Sequence, residues 1–250
     1  MMIKILRKIN SIKTYLNIFE SPIDILKFKN VYNKKKKGNL VKIRVKETLD
    51  HPLYIRPNTS DAQVLWDTFF RKYHLPEKLE KDPIIVDLGA NVGYTMAHFA
   101  FLYPNSKIIG VELDEQNYLL AQKNLESLKD RCELINAGIW SKDETVSYEG
   151  TSEWGFKIVN NGKNNVSAIT MDSLQKRYNL KKISLLKVDI EGAEIEIFEN
   201  PGQWINLVKQ IKMEIHPPAT IEEMSEKLEK FGFKVTKDNV HPYAINAIRV

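Results

Sequence analysis

The chain has 250 residues, 43% of them hydrophobic, one Cys and a formal net charge of +5; that is enough apolar content for one sizeable core, and the lone Cys132 excludes an internal disulfide framework or a multi-cysteine zinc site and fits a reducing setting. Residues 1–37 carry ten Lys or Arg against two acids, net +8, so residues 38–250 carry 27 against 30, net −3, and a slightly acidic main domain argues against nucleic acid as the substrate. No apolar run approaches the ~18 residues of a membrane-crossing helix, and the N-terminus lacks the ~7–15-residue apolar core of a signal peptide, so the expected location is cytoplasmic.

In the N-terminal arm, Ile5, Leu6, Ile9, Ile12, Leu16 and Phe19 recur at three- and four-residue steps, with Lys4, Arg7, Lys8 and Lys13 between them. That spacing predicts a basic amphipathic helix. Two roles fit it: packing on its own domain or a second subunit, or peripheral contact of residues 1–37 with an anionic membrane on the cytoplasmic face, helped by Lys34 to Lys37. The expected division is an arm over residues 1–40 and one domain over 41–250. Alternation at Val41, Ile43 and Val45 predicts a half-exposed strand, and a second short strand follows at Leu53 to Arg56. Ser60 and Gln63 then have the spacing of a capping box for a helix running from Val64 to Tyr73.

The next segment carries the strongest signal. Ile84 to Leu88 is a β-branched run feeding the turn Gly89-Ala90-Asn91-Val92-Gly93; helical character follows from Tyr94 to Tyr103, and a second buried strand, Ile108 to Val111, delivers Glu112. Glycines at such a turn permit a tight bend and close backbone approach, and a carboxylate at the end of the next strand accepts hydrogen bonds from ribose hydroxyls. This is a nucleoside-cofactor pattern, and Asp87-x-Gly89-x-Asn91-x-Gly93 differs from the Gly-x-Gly-x-x-Gly of dinucleotide binders. It resembles motif I of the S-adenosylmethionine-dependent methyltransferases.

Tyr118, Ala121, Leu125 and Leu128 mark the core stripe of the second helix, and a third strand follows from Cys132 to Ile135. Residues 141–170 are polar and glycine-bearing with little periodicity, and are expected to be a substrate loop. Ile183 to Val188 and Ile211 to Ile215 predict the fourth and fifth strands, with a helix from about Ala193 between them. A helix lined by Ile221, Met224, Leu228 and Phe231 precedes two closing strands, Phe233 to Val235 and Ala244 to Val250.

Ligands of open α/β sheets sit outside the carboxyl ends of the strands. There the fourth strand presents Lys187, Asp189 and Glu191, and the fifth presents Glu214 and His216 on one face by alternation. Three carboxylates within six residues, counting Glu194, are expensive to bury without partners. Lys187 answers one of them, and a divalent cation on Asp189 and Glu191 is permitted, although spacing does not separate a cation from a hydrogen-bond network. His216 is the candidate general base for a hydroxyl, because an ordinary imidazole titrates near neutral pH. His51, His74, His98 and His241 read as structural or surface residues.

Five segments in order, Arg56 to Asp61, Val86 to Tyr94, Thr170 to Leu174, Leu186 to Glu194 and Met213 to His216, resemble the FkbM-type methyltransferases over about residues 50–235. The resemblance implies a Rossmann-like α/β methyltransferase fold: a mostly parallel seven-stranded sheet with an antiparallel C-terminal edge strand, here preceded by the helical arm. It implies methyl transfer from S-adenosylmethionine to a hydroxyl of a sugar, glycan or related small molecule. Asp87, Gly89, Ala90, Asn91, Gly93, Glu112, Asn136 and Ala137 are then the cofactor contacts, Asp189, Glu191, His216 and Lys187 the catalytic group, and Arg56, Asp172 and Glu214 the acceptor contacts. An oligomer is compatible with all of this. Two other readings stand beside it. A non-catalytic binding or scaffold protein would show erosion of Asp87, Glu112 or the Asp189 loop, and all are present. An N-methyltransferase acting on nucleic acid or protein is faintly suggested by His216-Pro217-Pro218-Ala219, but that loop follows the fifth strand rather than the fourth and lacks the amide or acid and the aromatic such enzymes place around the prolines.

Overall fold

A computed structural model describes residues 13–33, 38–48, 51–150, 155–159 and 161–250. The chain packs as two units, Met1–Lys72 and Tyr73–Val250. In the first, residues 13–18 are helical, α1 spans Pro22–Asn33, and β1 (Val41–Ile43) pairs antiparallel with β2 (Leu53–Ile55). Helix α2 (Asp61–Trp66) runs into a π-helical turn, Asp67–Arg71, which ends where Lys72 turns left-handed at φ 57°. Ile43, Leu53 and Ile55 are fully buried, and Phe19, Phe28 and Trp66 form an aromatic cluster with centroids 4.9 and 5.9 Å apart. This small core is why the compact unit extends to residue 72 rather than ending at 40.

Of the apolar stripe of the arm, Ile5, Leu6, Ile9 and Ile12 lie outside the described residues; Phe19 is buried and Leu16 exposed. The expected capping box does not form. Ser60 makes no side-chain capping bond, and the Gln63 amide donates to the Asp67 carboxylate at 2.8 and 3.0 Å. The stronger local interaction is charged: the buried Asp61 carboxylate accepts from the Arg56 backbone N–H and from Nε and Nη2, at 2.8, 3.0 and 2.7 Å.

The second unit is a doubly wound α/β sheet. In chain order its elements are β3 (Ile84–Leu88), α3 (Tyr94–Leu102), β4 (Lys107–Glu112), α4 (Glu115–Asn124), β5 (Cys132–Asn136), β6 (Gly138–Ile139), β7 (Glu144–Gly150), β8 (Phe156–Ile158), β9 (Asn164–Ile169) and α5 (Met171–Tyr178). They continue with β10 (Leu185–Val188), α6 (Glu194–Glu199), β11 (Gln210–Glu214), α7 (Ile221–Lys230), β12 (Phe233–Lys237) and β13 (Ala244–Arg249). Among the described residues the main sheet has seven strands in the order β12-β13-β11-β10-β3-β4-β5. Strands β5, β4, β3, β10 and β11 are parallel, and β13 is antiparallel to both β11 and β12. The antiparallel C-terminal strand thus lies one place in from the edge. Ile85, Val86, Leu88, Ile108, Ile109, Leu185, Leu186 and Val188 are fully buried, the near-continuous apolar run expected of parallel strands covered by helices on both faces. The strand order reverses between β3 and β10, which opens a crevice at their carboxyl ends.

The described residues of 141–170 do not form the expected loop. Among the described residues they build most of a second sheet, ordered β6-β9-β7-β8. Its long strand β7 buries Val146 and Tyr148 and exposes the residues at both ends, so the alternation is confined to three central residues. The surrounding glycines and acids hid it. No helix among the described residues is long and apolar enough to cross a membrane.

Candidate functional site

The crevice has two halves. The first is the turn after β3. Gly89, Asn91 and Gly93 have φ of +81°, +50° and +80°, and a Cβ on Gly89 would stand 1.8 Å from the Asp189 carbonyl oxygen. Glycine therefore lets the β3 turn touch the chain leaving β10. The N–H groups of this turn are committed internally: Gly89 and Ala90 donate to Val111 O at 3.0 Å, Gly93 to Ala90 O at 2.9 Å, Val92 to Asn91 Oδ1 at 2.7 Å and Asn91 to Glu112 Oε2 at 2.7 Å. What the turn offers a ligand is shape rather than the backbone donors a phosphate would need.

Glu112 ends β4 and is almost fully buried. Besides Asn91 it accepts from Asp114 N at 2.8 Å and Asn117 Nδ2 at 3.4 Å. A carboxylate has about four acceptor positions, so one remains for a ligand rather than the two expected from sequence. Burial pushes its carboxyl up to about 7, against the hydrogen bonds from Asp114, Asn91 and Asn117, which favour the charge. Asn136 braces this corner by donating to the carbonyls of Glu112 and Leu113 at 3.0 and 3.1 Å. Ala137 N also donates to Glu112 O, at 3.0 Å.

Sequence reasoning passed over Tyr148. This buried residue of β7 lies close enough to Asp114 and Glu112 that, after burial itself, their charges help to raise its hydroxyl. The second sheet thus reaches the Glu112 side of the crevice.

Lys187 joins the halves. Its ammonium lies 2.9 Å from Asp87 Oδ1 and 3.5 Å from Asp189 Oδ2, and donates to Gly89 O at 3.0 Å. Burial works against that charge, but Asp87 and Asp189 outweigh it and hold the ammonium above the ordinary lysine range. Asp87, fully buried, also accepts from Thr95 Oγ1 at 2.6 Å. This pair fixes the ends of β3 and β10 against each other.

The second half gathers the carboxylates around His216. Glu191 has φ +53° and Gly192 φ +102°, so the chain after β10 doubles back. His216 Nδ1 lies 2.8 Å from Glu194 Oε1, whose side chain is fully buried in the first turn of α6. Nε2 faces Glu214 Oε1 at 3.6 Å, Glu191 Oε2 at 3.7 Å and Asp189 Oδ1 at 3.8 Å. Burial disfavours a charged imidazole, but Glu194, Glu214, Asp189 and Glu191 together push it up to about 11. His216 is then an imidazolium at neutral pH, which corrects the premise that it titrates in the ordinary range and removes it as a ready base. Glu191 lies in the neutral range instead: burial, then its carboxylate neighbours Asp189, Glu214 and Glu194, push it up to about 7 against the pull of His216, and its side chain remains 29% exposed.

His241, read from sequence as structural or surface, lies beside this cluster, with Nε2 3.6 Å from Glu214 Oε1 and its ring 4.5 Å from that of Tyr73. Nothing in the local sequence flags it; the turn between β12 and β13 brings it there. Two of the expected acceptor contacts have close neighbours of their own. The Arg56 guanidinium pairs with Asp61, and the Asp172 carboxylate lies against Gly202, where a Cβ would come 2.2 Å from Oδ2.

The family described as Methyltransferase FkbM domain matches residues 87–235. The chain is 26% identical over 231 residues to methyltransferase sdnD of Sordaria araneosa, covering 76% of this chain and 88% of that one. It is 22% identical over 170 residues to the hexuronic acid methyltransferase AglP of Haloferax volcanii, covering 66% and 70%. A solved structure of methyltransferase FkbM from Methylobacillus flagellatus superposes with a TM-score of 0.48 at 14% identity, covering 74% of this chain and 47% of that one. The matched span takes in the β3 turn, Glu112, Lys187 and the carboxylates around His216, and the chain belongs to the FkbM methyltransferase family.

Proposed function

We propose that this methyltransferase moves a methyl group from S-adenosylmethionine to a hydroxyl of a sugar, glycan or related small molecule. The observation that carries the reading is the adjacency of the two halves: the glycine turn with Glu112 on β3 and β4, and an acid-rich cluster on β10 and β11, joined by Lys187. The donor fits the first half. The turn excludes a Cβ at Gly89, its N–H groups are already committed, and Glu112 keeps one acceptor position for a ribose hydroxyl.

When bound, S-adenosylmethionine supplies an electrophilic methyl carbon on a positively charged sulfur, which leaves as the neutral thioether of S-adenosylhomocysteine. The protein's own part is alignment and proton removal. Glu191, raised to about 7 and partly exposed, is suited to accept the hydroxyl proton as the oxygen–carbon bond forms. Lys187, 3.5 Å from Asp189, opposes the burial that raises that carboxyl, and the imidazolium of His216 in the metal-free protein holds Glu214, Glu191 and Asp189 around one point. An acceptor carrying a uronic acid agrees with the activity named for the Haloferax relative.

The test is transfer of radiolabelled methyl from S-adenosylmethionine to a panel of uronic acids, neutral sugars and glycans. Label in an alkali-stable ether, reduced at least about a hundredfold in Glu191→Gln as expected for a lost general base, supports the reading. Label on amino groups, or none on any acceptor by a protein that binds the donor, contradicts it.

A further inference from the structure

We propose that Asp189, Glu214 and His216 form a binding site for one divalent cation of the magnesium or manganese class. The role given to the ion rests on the function proposed above; its binding does not. The three side chains offer one ligand atom each, all within 4.8 Å of one another. The carboxylate oxygens facing His216 Nε2 stand 3.6 to 3.8 Å away, too far for N–H···O hydrogen bonds, which close at ~2.7–3.2 Å. Oxygens and nitrogens on bonds of ~2.0–2.2 Å to a shared ion keep separations of about 3 to 3.6 Å from one another, so a small closure brings this set onto one centre.

The histidine is held as a metal-binding histidine is held. Its Nδ1 is engaged by the buried Glu194 carboxylate at 2.8 Å, which fixes the ring, and the ion takes Nε2 in place of the proton that the metal-free imidazolium carries, which is released to solvent; a carboxylate behind a ligating imidazole is the common outer-shell arrangement. The other Glu194 oxygen is buried and has no hydrogen-bond partner among the described residues, so the imidazole is the carboxylate's hydrogen-bond partner there. The ligands are also held in advance. Asp189 turns Oδ2 to Lys187 and Oδ1 to His216, and the left-handed Glu191 directs a fourth carboxylate to 3.7 Å from Nε2. Two carboxylates and one imidazole favour magnesium or manganese over zinc, which prefers more nitrogen or sulfur.

Such an ion keeps coordination positions open. Two adjacent acceptor oxygens, a vicinal diol or a hydroxyl beside a carboxylate, would fill two of them, and the coordinated hydroxyl would lose its proton more readily. The preferred acceptor class is therefore one with paired oxygens.

The experiment is titration of the full chain, chelator-treated and free of nucleoside, with Mn²⁺, following the free ion by electron paramagnetic resonance, with Mg²⁺ as competitor. S-adenosylhomocysteine binding is measured separately without metal. One saturable equivalent, displaced by Mg²⁺ and weakened more than about tenfold in Asp189→Asn and His216→Gln, is expected, with a loss of about tenfold in Glu194→Gln. The absence of a one-equivalent site in wild type, or unchanged binding in variants that still bind S-adenosylhomocysteine, overturns the proposal. Manganese binding without S-adenosylhomocysteine binding would uphold the site and sink the donor assignment instead.

Discussion

Glu194 Oε1 lies 2.8 Å from His216 Nδ1, and this contact decides what the histidine can do. With Glu194 on one nitrogen and three carboxylates facing the other, the imidazole is pushed up to about 11. In the metal-free protein, NMR of the His216 ring should therefore show an imidazolium that does not titrate between about pH 6 and 9. Because the folded value lies above the unfolded one, this ring stabilises the fold below about pH 6.5, and the contribution is lost as pH rises toward 11. A neutral ring at pH 7 would return His216 to the role of base.

Lys187 stands between the buried Asp87 and the Asp189 loop. Replacing it with Met leaves Asp87 buried without its cation, which costs about 3–5 kcal/mol. Urea unfolding should show that loss, and Asp87→Asn in the Lys187→Met background should recover part of it. A loss below about 1 kcal/mol would mean that the pair does not hold β3 and β10 together.

Glu112 is raised to about 7 from 4.5, so between those values the folded state holds a proton that the unfolded state has released. The stability contributed by this group therefore falls as pH rises through the window and stays low above it. Unfolding free energies of wild type and Glu112→Gln, measured from pH 4 to 8, should diverge progressively up to about pH 7, wild type losing more. Parallel curves would mean that Glu112 is ionised throughout.

Gly89→Ala would set a methyl 1.8 Å from the Asp189 carbonyl at a φ of +81°. The backbone strain alone costs about 1–3 kcal/mol, and the turn must also move away from β10. We expect lower stability together with loss of S-adenosylhomocysteine binding. At Gly192 the added Cβ meets only Pro217 O, at 3.4 Å, so Gly192→Ala should be milder on both counts. Equal effects would show that close approach at Gly89 is not what requires glycine.

How much of this was legible in the sequence depends on how local the cause is. The β3 turn was legible because β-branched residues, two glycines and Glu112 are each required by the backbone path within thirty residues. Glu214 and His216 came together as strand alternation predicts. What failed came from distant partners. Lys187 answers Asp189 as expected but also meets Asp87 from a hundred residues away, and the helix after β10 slides Glu194 behind His216, turning a candidate base into a cation. In the same way Asp114 and Asn117 occupy acceptor positions of Glu112 that pattern reading left for a ribose. The second sheet was missed because β7 has only three residues of clean alternation between acidic and glycine-bearing ends.

The central claim is that the half of the crevice built by the β3 turn and Glu112 of β4 holds the nucleoside of the methyl donor, and calorimetric titration with S-adenosylhomocysteine tests it most directly. The structure predicts one equivalent bound in the wild-type chain and binding abolished in Glu112→Ala while that variant still unfolds cooperatively. No binding by folded wild-type protein, or equal binding by Glu112→Ala, would contradict it.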